Sequence, residues 1–422
     1  MKKIIIYLLA TLPLSINAQT LSIQELWDKL NETNIARQNQ LEVEISSQEL
    51  AIEHLNKFPI VYGDINLQRN LITPTTPVPA IAFDPSAQEG AILPLKFATN
   101  WNAKAGIQAE WKFFDPSRKT TLQEKNIRLE KAQIEQKRSA QNIKRDATLA
   151  YTSIVLASLQ HQAAVEDSIL YEQILRTTKI RYEAGRETTE QLLNAQQEYE
   201  RKKIQLYETW SILCESDLEL QKYIETNTIE KLTTGIDDIK EAIKEYENIN
   251  YDAQVNTLDL KLNENERQSF KRQLLPSLTF NAYYGAQFFN NKLHLSNSNN
   301  WFGNSYANVA LRIPISTYLI QNPTLNKINS QQMLNQIKLD DANKLDEIQR
   351  NQRKQKILAA EQKVKSYQRI VDLSKENLEQ KKIEFESGRI LLSDYNLILN
   401  KYSSNQKELW QAQYDLITIF VN

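Results

Sequence analysis

The chain has 422 residues and a formal net charge of −1, so it carries no basic excess of the kind a nucleic-acid partner needs. Only 8 glycines and 11 prolines punctuate a sequence rich in Glu, Gln, Lys, Leu and Ala, a composition of long helices. The single cysteine, Cys214, forbids an intrachain disulfide, and its apolar helical neighbours Ile212 and Leu213 predict a packing role.

Lys2 and Lys3 precede an apolar run from Ile4 to Ala10, continued by Leu12 and Leu14 and ended by Ile16-Asn17-Ala18. This pattern predicts a secretory signal peptide over residues 1–18. The run is short for a membrane span. No cysteine stands immediately after the cleavage position, so a lipoprotein is not expected. No later segment is long and apolar enough for a transmembrane helix. An exported chain of this kind is soluble, or it crosses a membrane as strands.

Residues 19–226 read as a first structural repeat. A helix is expected over 21–57, then a β-hairpin over about 60–113. In it Val61, Gly63, Ile65 and Leu67 alternate with Tyr62, Asp64, Asn66 and Gln68. On the return, Ala103, Ala105, Ile107, Ala109, Trp111 and Phe113 alternate with Asn102, Lys104, Gly106, Gln108, Glu110 and Lys112. Period-two alternation means strands with one apolar and one polar face. The proline-bearing stretch 71–100 between them reads as a long extracellular loop. Asp115-Pro116-Ser117 opens a long helix over 115–183, on which Ala147, Ala150, Ile154, Ala157, His161 and Ala164 form a three-four stripe. His161 on that stripe reads as a packed histidine. A turn at Gly185 leads to a helix over 187–226, and a linker follows over 227–247.

Residues 248–422 repeat the order. A helix over 248–274 leads to a hairpin over about 277–315. There Leu278, Phe280, Ala282, Tyr284, Ala286 and Phe288 alternate with polar or small residues, as do Ala307, Val309, Leu311, Ile313 and Ile315. A long helix over 322–386, a turn at Gly388 and a helix over 390–421 complete it. No proline lies between Pro116 and Pro276 or after Pro323, which leaves both long helices unbroken. The turns Arg181-Tyr182-Glu183-Ala184-Gly185-Arg186 and Glu384-Phe385-Glu386-Ser387-Gly388-Arg389 resemble one another. Trp101, Trp111, Phe113, Phe114, Trp301 and Phe302 cluster near strand ends, as interfacial aromatic girdles do. The polar strand residues Asp64, Lys104, Glu110, Lys112 and Arg312 are expected to face a lumen.

The duplicated order, the run Phe113-Phe114-Asp115-Pro116-Ser117-Arg118, the run Leu275-Pro276-Ser277-Leu278 and the paired glycine turns resemble the TolC family of outer-membrane efflux proteins. The resemblance covers the mature chain. It implies a mixed, mainly α fold: long antiparallel coiled-coil helices forming an α-barrel tunnel, plus two β-hairpins. The hairpins would give four strands to a trimeric, twelve-stranded transmembrane β-barrel. It further implies a homotrimer in the outer membrane, in contact with its lipid and extending into the periplasm. A periplasmic adaptor protein would dock there, with an inner-membrane pump of the RND or ABC type as the energy source. Adaptor docking would fall on Ala184, Gly185, Arg186, Ser387, Gly388 and Arg389, where this chain departs from the family by placing arginine after each glycine. A pore constriction would fall on Phe385, Arg389 and Asp394. For Asp394 the alternative is an ordinary solvated aspartate near a helix start, and for the glycines a plain helix-capping role.

Neither a glycine-rich phosphate loop nor a zinc motif is present, and His54, His161 and His294 lie far apart, so neither an enzyme nor a cofactor is expected. The methionines, Met1 and Met333, offer no thioether route for soft metals. A soluble periplasmic coiled-coil scaffold or adaptor remains the alternative function.

Overall fold

The computed structural model describes residues 20–224, 231–244 and 249–422. The expected signal peptide and parts of the linker lie outside them. Along the chain run β1 (Thr20–Leu21), α1 (Ile23–Lys29), α2 (Asn34–Leu55), β2 (Ile60–Arg69), β3 (Thr76–Pro79), β4 (Ile92–Leu95) and β5 (Trp101–Phe114). Next come α3 (Arg118–Glu183), α4 (Thr189–Leu220), β6 (Lys231–Leu232), α5 (Ile236–Ile243) and α6 (Tyr251–Gln273). The last are β7 (Ser277–Asn290), β8 (Trp301–Arg312), α7 (Gln321–Glu386) and α8 (Leu392–Val421). Each of α3 and α7 has 66 residues, a rise of about 100 Å.

Four expectations are revised. The first helix is broken: after α1 a 3-10 turn over Leu30–Glu32 ends at Thr33, which is extended at φ −65° and ψ 151°. The Thr33 hydroxyl donates to the Leu30 carbonyl at 2.8 Å and accepts the Ala36 amide at 3.3 Å, so it caps the new helix. The stretch 71–100 is not a bare loop, because β3 and β4 pair antiparallel within it. Strand β8 ends at Arg312 rather than 315, just before Pro314, which has no N–H for a ladder. Cys214 is exposed rather than packed, on a face of α4 that also exposes Trp210 and Leu218.

Residues 43–132 and 256–338 form one compact unit, and the other described residues form a second. In the first, four strands make an antiparallel sheet in the order β2-β5-β7-β8. Its register carries the alternation across all four strands. One face presents Val61, Ile65, Ile107, Ala282, Tyr284, Val309 and Leu311, and it is open: Ile65 is 86% exposed and Tyr284 77%. A sheet in water buries its apolar face against a partner layer. This one leaves most of it open, and buries it only at the end around Ala103 and Phe288.

The second unit has a buried core built from Leu21, Ile23 and Leu26, from Ile143, Ala147 and Tyr151 on α3, from Ile236, Ile239 and Ile243 on α5, and from Ile417 and Val421 on α8. Strand β1 pairs parallel with β6 beside it. Tyr151 joins these pieces: its hydroxyl donates to the Leu21 carbonyl at 2.8 Å and accepts the Thr234 amide at 3.2 Å. Tyr151→Phe should therefore cost about 1 kcal/mol, by taking the hydroxyl from the Thr234 amide, while the Leu21 carbonyl keeps the Thr233 amide, which donates to it at 3.1 Å. Thermal unfolding in detergent measures this, and an unchanged midpoint would show that the hydroxyl does not hold β1 and β6 in place.

Candidate functional site

Two places gather the residues singled out by sequence. The first is the polar face of the sheet. Tyr62 pairs with Gln108, Gln108 with Tyr283, and Tyr283 with Tyr306, forming one rung across the strands. The next rung is Asp64, Gly106, Gly285 and Asn304, and on the other side lies Ile60, Glu110, Asn281 and Asn308. Asp64, Lys104, Glu110 and Arg312 thus share this face by register. Lys112 sits at an irregularity between Trp111 and Phe114. Asp64 and Lys104 form an ion pair at 3.0 Å.

Tyr283 is the fixed point of this face, at 2% exposure. Its ring leans over the paired glycines: a Cβ at Gly106 or Gly285 would come within 2.6 Å of its hydroxyl oxygen. That close approach is why both strands carry glycine at the same rung. The Lys104 ammonium lies 3.9 Å from the Tyr283 ring centroid, and the Tyr306 ring stacks on it at 5.9 Å.

The second place is the pair of helix ends in the other unit. Gly185 and Gly388 take φ of 70° and 72°, in the left-handed region that glycine enters without strain. The Arg186 amide donates to the Arg181 carbonyl at 2.8 Å and the Gly185 amide to Tyr182 at 2.9 Å. The Arg389 amide donates to Glu384 at 2.8 Å and the Gly388 amide to Phe385 at 3.0 Å. Both are Schellman endings, so the sequence likeness of the two turns is a likeness of geometry. The following helices differ. Thr188 caps α4 reciprocally with Gln191, whereas Leu391 offers α8 no side-chain cap.

Ala184, Gly185, Arg186, Ser387, Gly388 and Arg389 are all exposed, as is Asp394 in the first turn of α8. Phe385 is half-buried and lies flat on Tyr395, with centroids 5.0 Å apart and planes at 7°. Burial, then the Glu386 charge, pushes the Tyr395 phenol up. Phe385 and Tyr395 belong to an apolar cluster with Tyr171, Ile174 and Leu399.

One group escaped the sequence reading. Lys202 on α4 is buried and pairs with Asp167 on α3 at 3.0 Å. It also donates to Asn400 Oδ1 on α8 at 3.0 Å. The Ser403 hydroxyl donates to Asp167 at 3.3 Å, and the Tyr171 hydroxyl to Asn400 at 3.3 Å. Burial, reinforced by Glu198 and Asp167, pushes the Tyr171 phenol well up. Burial pulls the Lys407 ammonium down, with Asp167 opposing. Singly, these are ordinary polar residues of helices, and nothing local marks them as partners.

No protein-family model matches the sequence, and no curated protein matches it. Solved structures do match in fold. The outer membrane protein VceC of Vibrio cholerae is similar with a TM-score of 0.70 at 12% identity, covering 94% of each chain. The open state of the MtrE outer membrane channel of Neisseria gonorrhoeae gives 0.71 at 14% identity, over 94% of this chain and 87% of that one. The CmeC outer membrane channel of Campylobacter jejuni gives 0.59 at 16% identity, over 94% and 84%. The chain has the fold of these outer-membrane channels, the one that its resemblance to the TolC family implied.

Proposed function

We propose that the chain is an outer-membrane channel, a passive exit duct of a multi-component efflux or type I secretion system. The observation that carries this reading is the two-faced sheet, with a largely open apolar face on one side and a polar face on the other. Lipid accepts the first, and water in a lumen accepts the second. The sheet has β2 and β8 as free edges. In a bilayer every edge needs a partner. Three copies, each giving four strands, close the ring, β8 of one against β2 of the next.

In this reading the exposed turns at Gly185 and Gly388, with Ala184, Arg186, Ser387 and Arg389, dock a periplasmic adaptor that couples the duct to an inner-membrane pump. Asp394 and Arg389 line the narrow periplasmic end, with Phe385 held behind them by Tyr395. A ring of three carboxylates there narrows and selects.

Single-channel recording of detergent-purified protein in a planar bilayer tests the reading. Discrete conductance steps are expected, and Asp394→Ala should open more widely or for longer. Protein that stays in solution without detergent would instead favour a soluble coiled-coil scaffold.

A further inference from the structure

We propose that Tyr62, Tyr306 and Glu110, with Tyr283 as the covered ring between them, form a binding subsite for organic cations on the polar face of the sheet. The inference rests on the channel reading, because it needs that face to line the path of the cargo. Three of the four positions on one rung are tyrosines, supplied by β2, β7 and β8. Tyr62 and Tyr306 are 43% and 44% exposed, so their rings are open to a guest, while Tyr283 is covered. Because β2 and β8 are the edge strands, closure by three copies sets β8 of one copy beside β2 of the next, staggered along the strands as a tilted barrel requires. Each copy brings one such aromatic rung to the lumen.

Charge sets the class of guest. The carboxylates of the face lie immediately on either side of this rung, Asp64 one rung above and Glu110 one rung below, each about 7 Å along the strand. Asp64 is paired with Lys104. Among the described residues Glu110 has no ion-pair partner, which leaves its charge for a guest. The basic residues Lys112 and Arg312 stand further off, toward the strand ends that adjoin the helices. The face also shows the contact it would make: the Lys104 ammonium rests 3.9 Å from the Tyr283 ring centroid. Aromatic faces beside a carboxylate bind alkylammonium groups through ring quadrupole and charge together. Anionic cargo finds neither attraction here.

Calorimetric titration of the full chain in detergent, with phenyltrimethylammonium as the probe and benzenesulfonate as the anionic control, tests the subsite whether or not the pore is open. Saturable binding of the cation at least about tenfold tighter than of the anion is expected. Glu110→Gln, and separately Tyr62→Leu with Tyr306→Leu, should each weaken it by about fivefold or more. Tyr283 is left intact, because its ring packs on Gly106 and Gly285. Conductance steps of the same variants in a bilayer report that they still assemble. Equal binding of both probes, no saturable binding, or variants that bind like the parent would overturn the subsite while normal conductance upheld the channel. Protein that neither inserts nor conducts would overturn both.

Discussion

Ile65→Arg should abolish assembly in the outer membrane, whereas Asn66→Arg, one residue away, should be tolerated. Ile65 lies near the middle of β2, opposite Ala105, in a row continued by Ala286 and Gly303. Its side chain is 86% exposed on the apolar face. An arginine at the midplane of a lipid-facing strand costs about 2–4 kcal/mol. A trimeric barrel meets that cost at three places at once, so the sum exceeds much of an ordinary fold's stability. In water the outcome reverses. A charge placed at so open a site changes stability by no more than about 0.5 kcal/mol, and it improves solubility. The two readings of the sheet therefore predict different signs for one substitution. Membrane fractionation, with trimer survival on unheated gels, separates them: normal assembly of Ile65→Arg would remove the lipid-facing assignment. Asn66 lies on the polar face opposite Lys104, so its arginine would meet solvent and the nearby Asp64.

The same strands show why so much of this fold could be read from the chain. A strand repeats every two residues, so Val61 through Gln68 declare both faces locally, and the register then adds the partners. The glycine turns are equally local. Gly185 and Gly388 each end an unbroken helical run, and a left-handed position there needs no distant contact to explain it. What stayed hidden was non-local. Cys214 has apolar sequence neighbours, yet the rotation of α4 turns it outward, and that rotation is set by what α4 packs against. The break at Thr33 depends on one hydroxyl capping the next helix in preference to continuing the first. The pairing of β3 with β4 joins two short proline-bearing segments that show no alternation. The exposed tip residues could be named by likeness to a family, and the docking role proposed for them is one that a partner chain would complete.

The polar knot on α3, α4 and α8 was invisible for the same reason, and it yields the second large effect. Asp167→Ala should destabilise the helical unit by about 3–5 kcal/mol, the cost of leaving a buried charge without its partner. The pair is well buried, with side chains 13% and 10% exposed for Asp167 and Lys202. Asp167 serves two cations: Lys202 bonds it directly, and Lys407 feels its charge from a buried position that already pulls the ammonium down. Removing the carboxylate leaves both lysines facing each other and frees the Ser403 hydroxyl. Removing the lysine is milder, because Lys202→Met leaves Asp167 with Ser403 and the Lys407 charge. The order Asp167→Ala worse than Lys202→Met is thus expected in chemical unfolding of the detergent-solubilised protein. The combination of Asp167→Leu with Lys202→Met should recover most of the loss, since a buried pair replaced by apolar side chains is often neutral or better. Hydrogen exchange along α8 localises the effect: Asn400 takes hydrogen bonds from both Lys202 and Tyr171, so faster exchange should centre on residues 400–403. Equal losses from the two single variants, with no recovery in the double, would mean that the knot acts through packing volume rather than through charge.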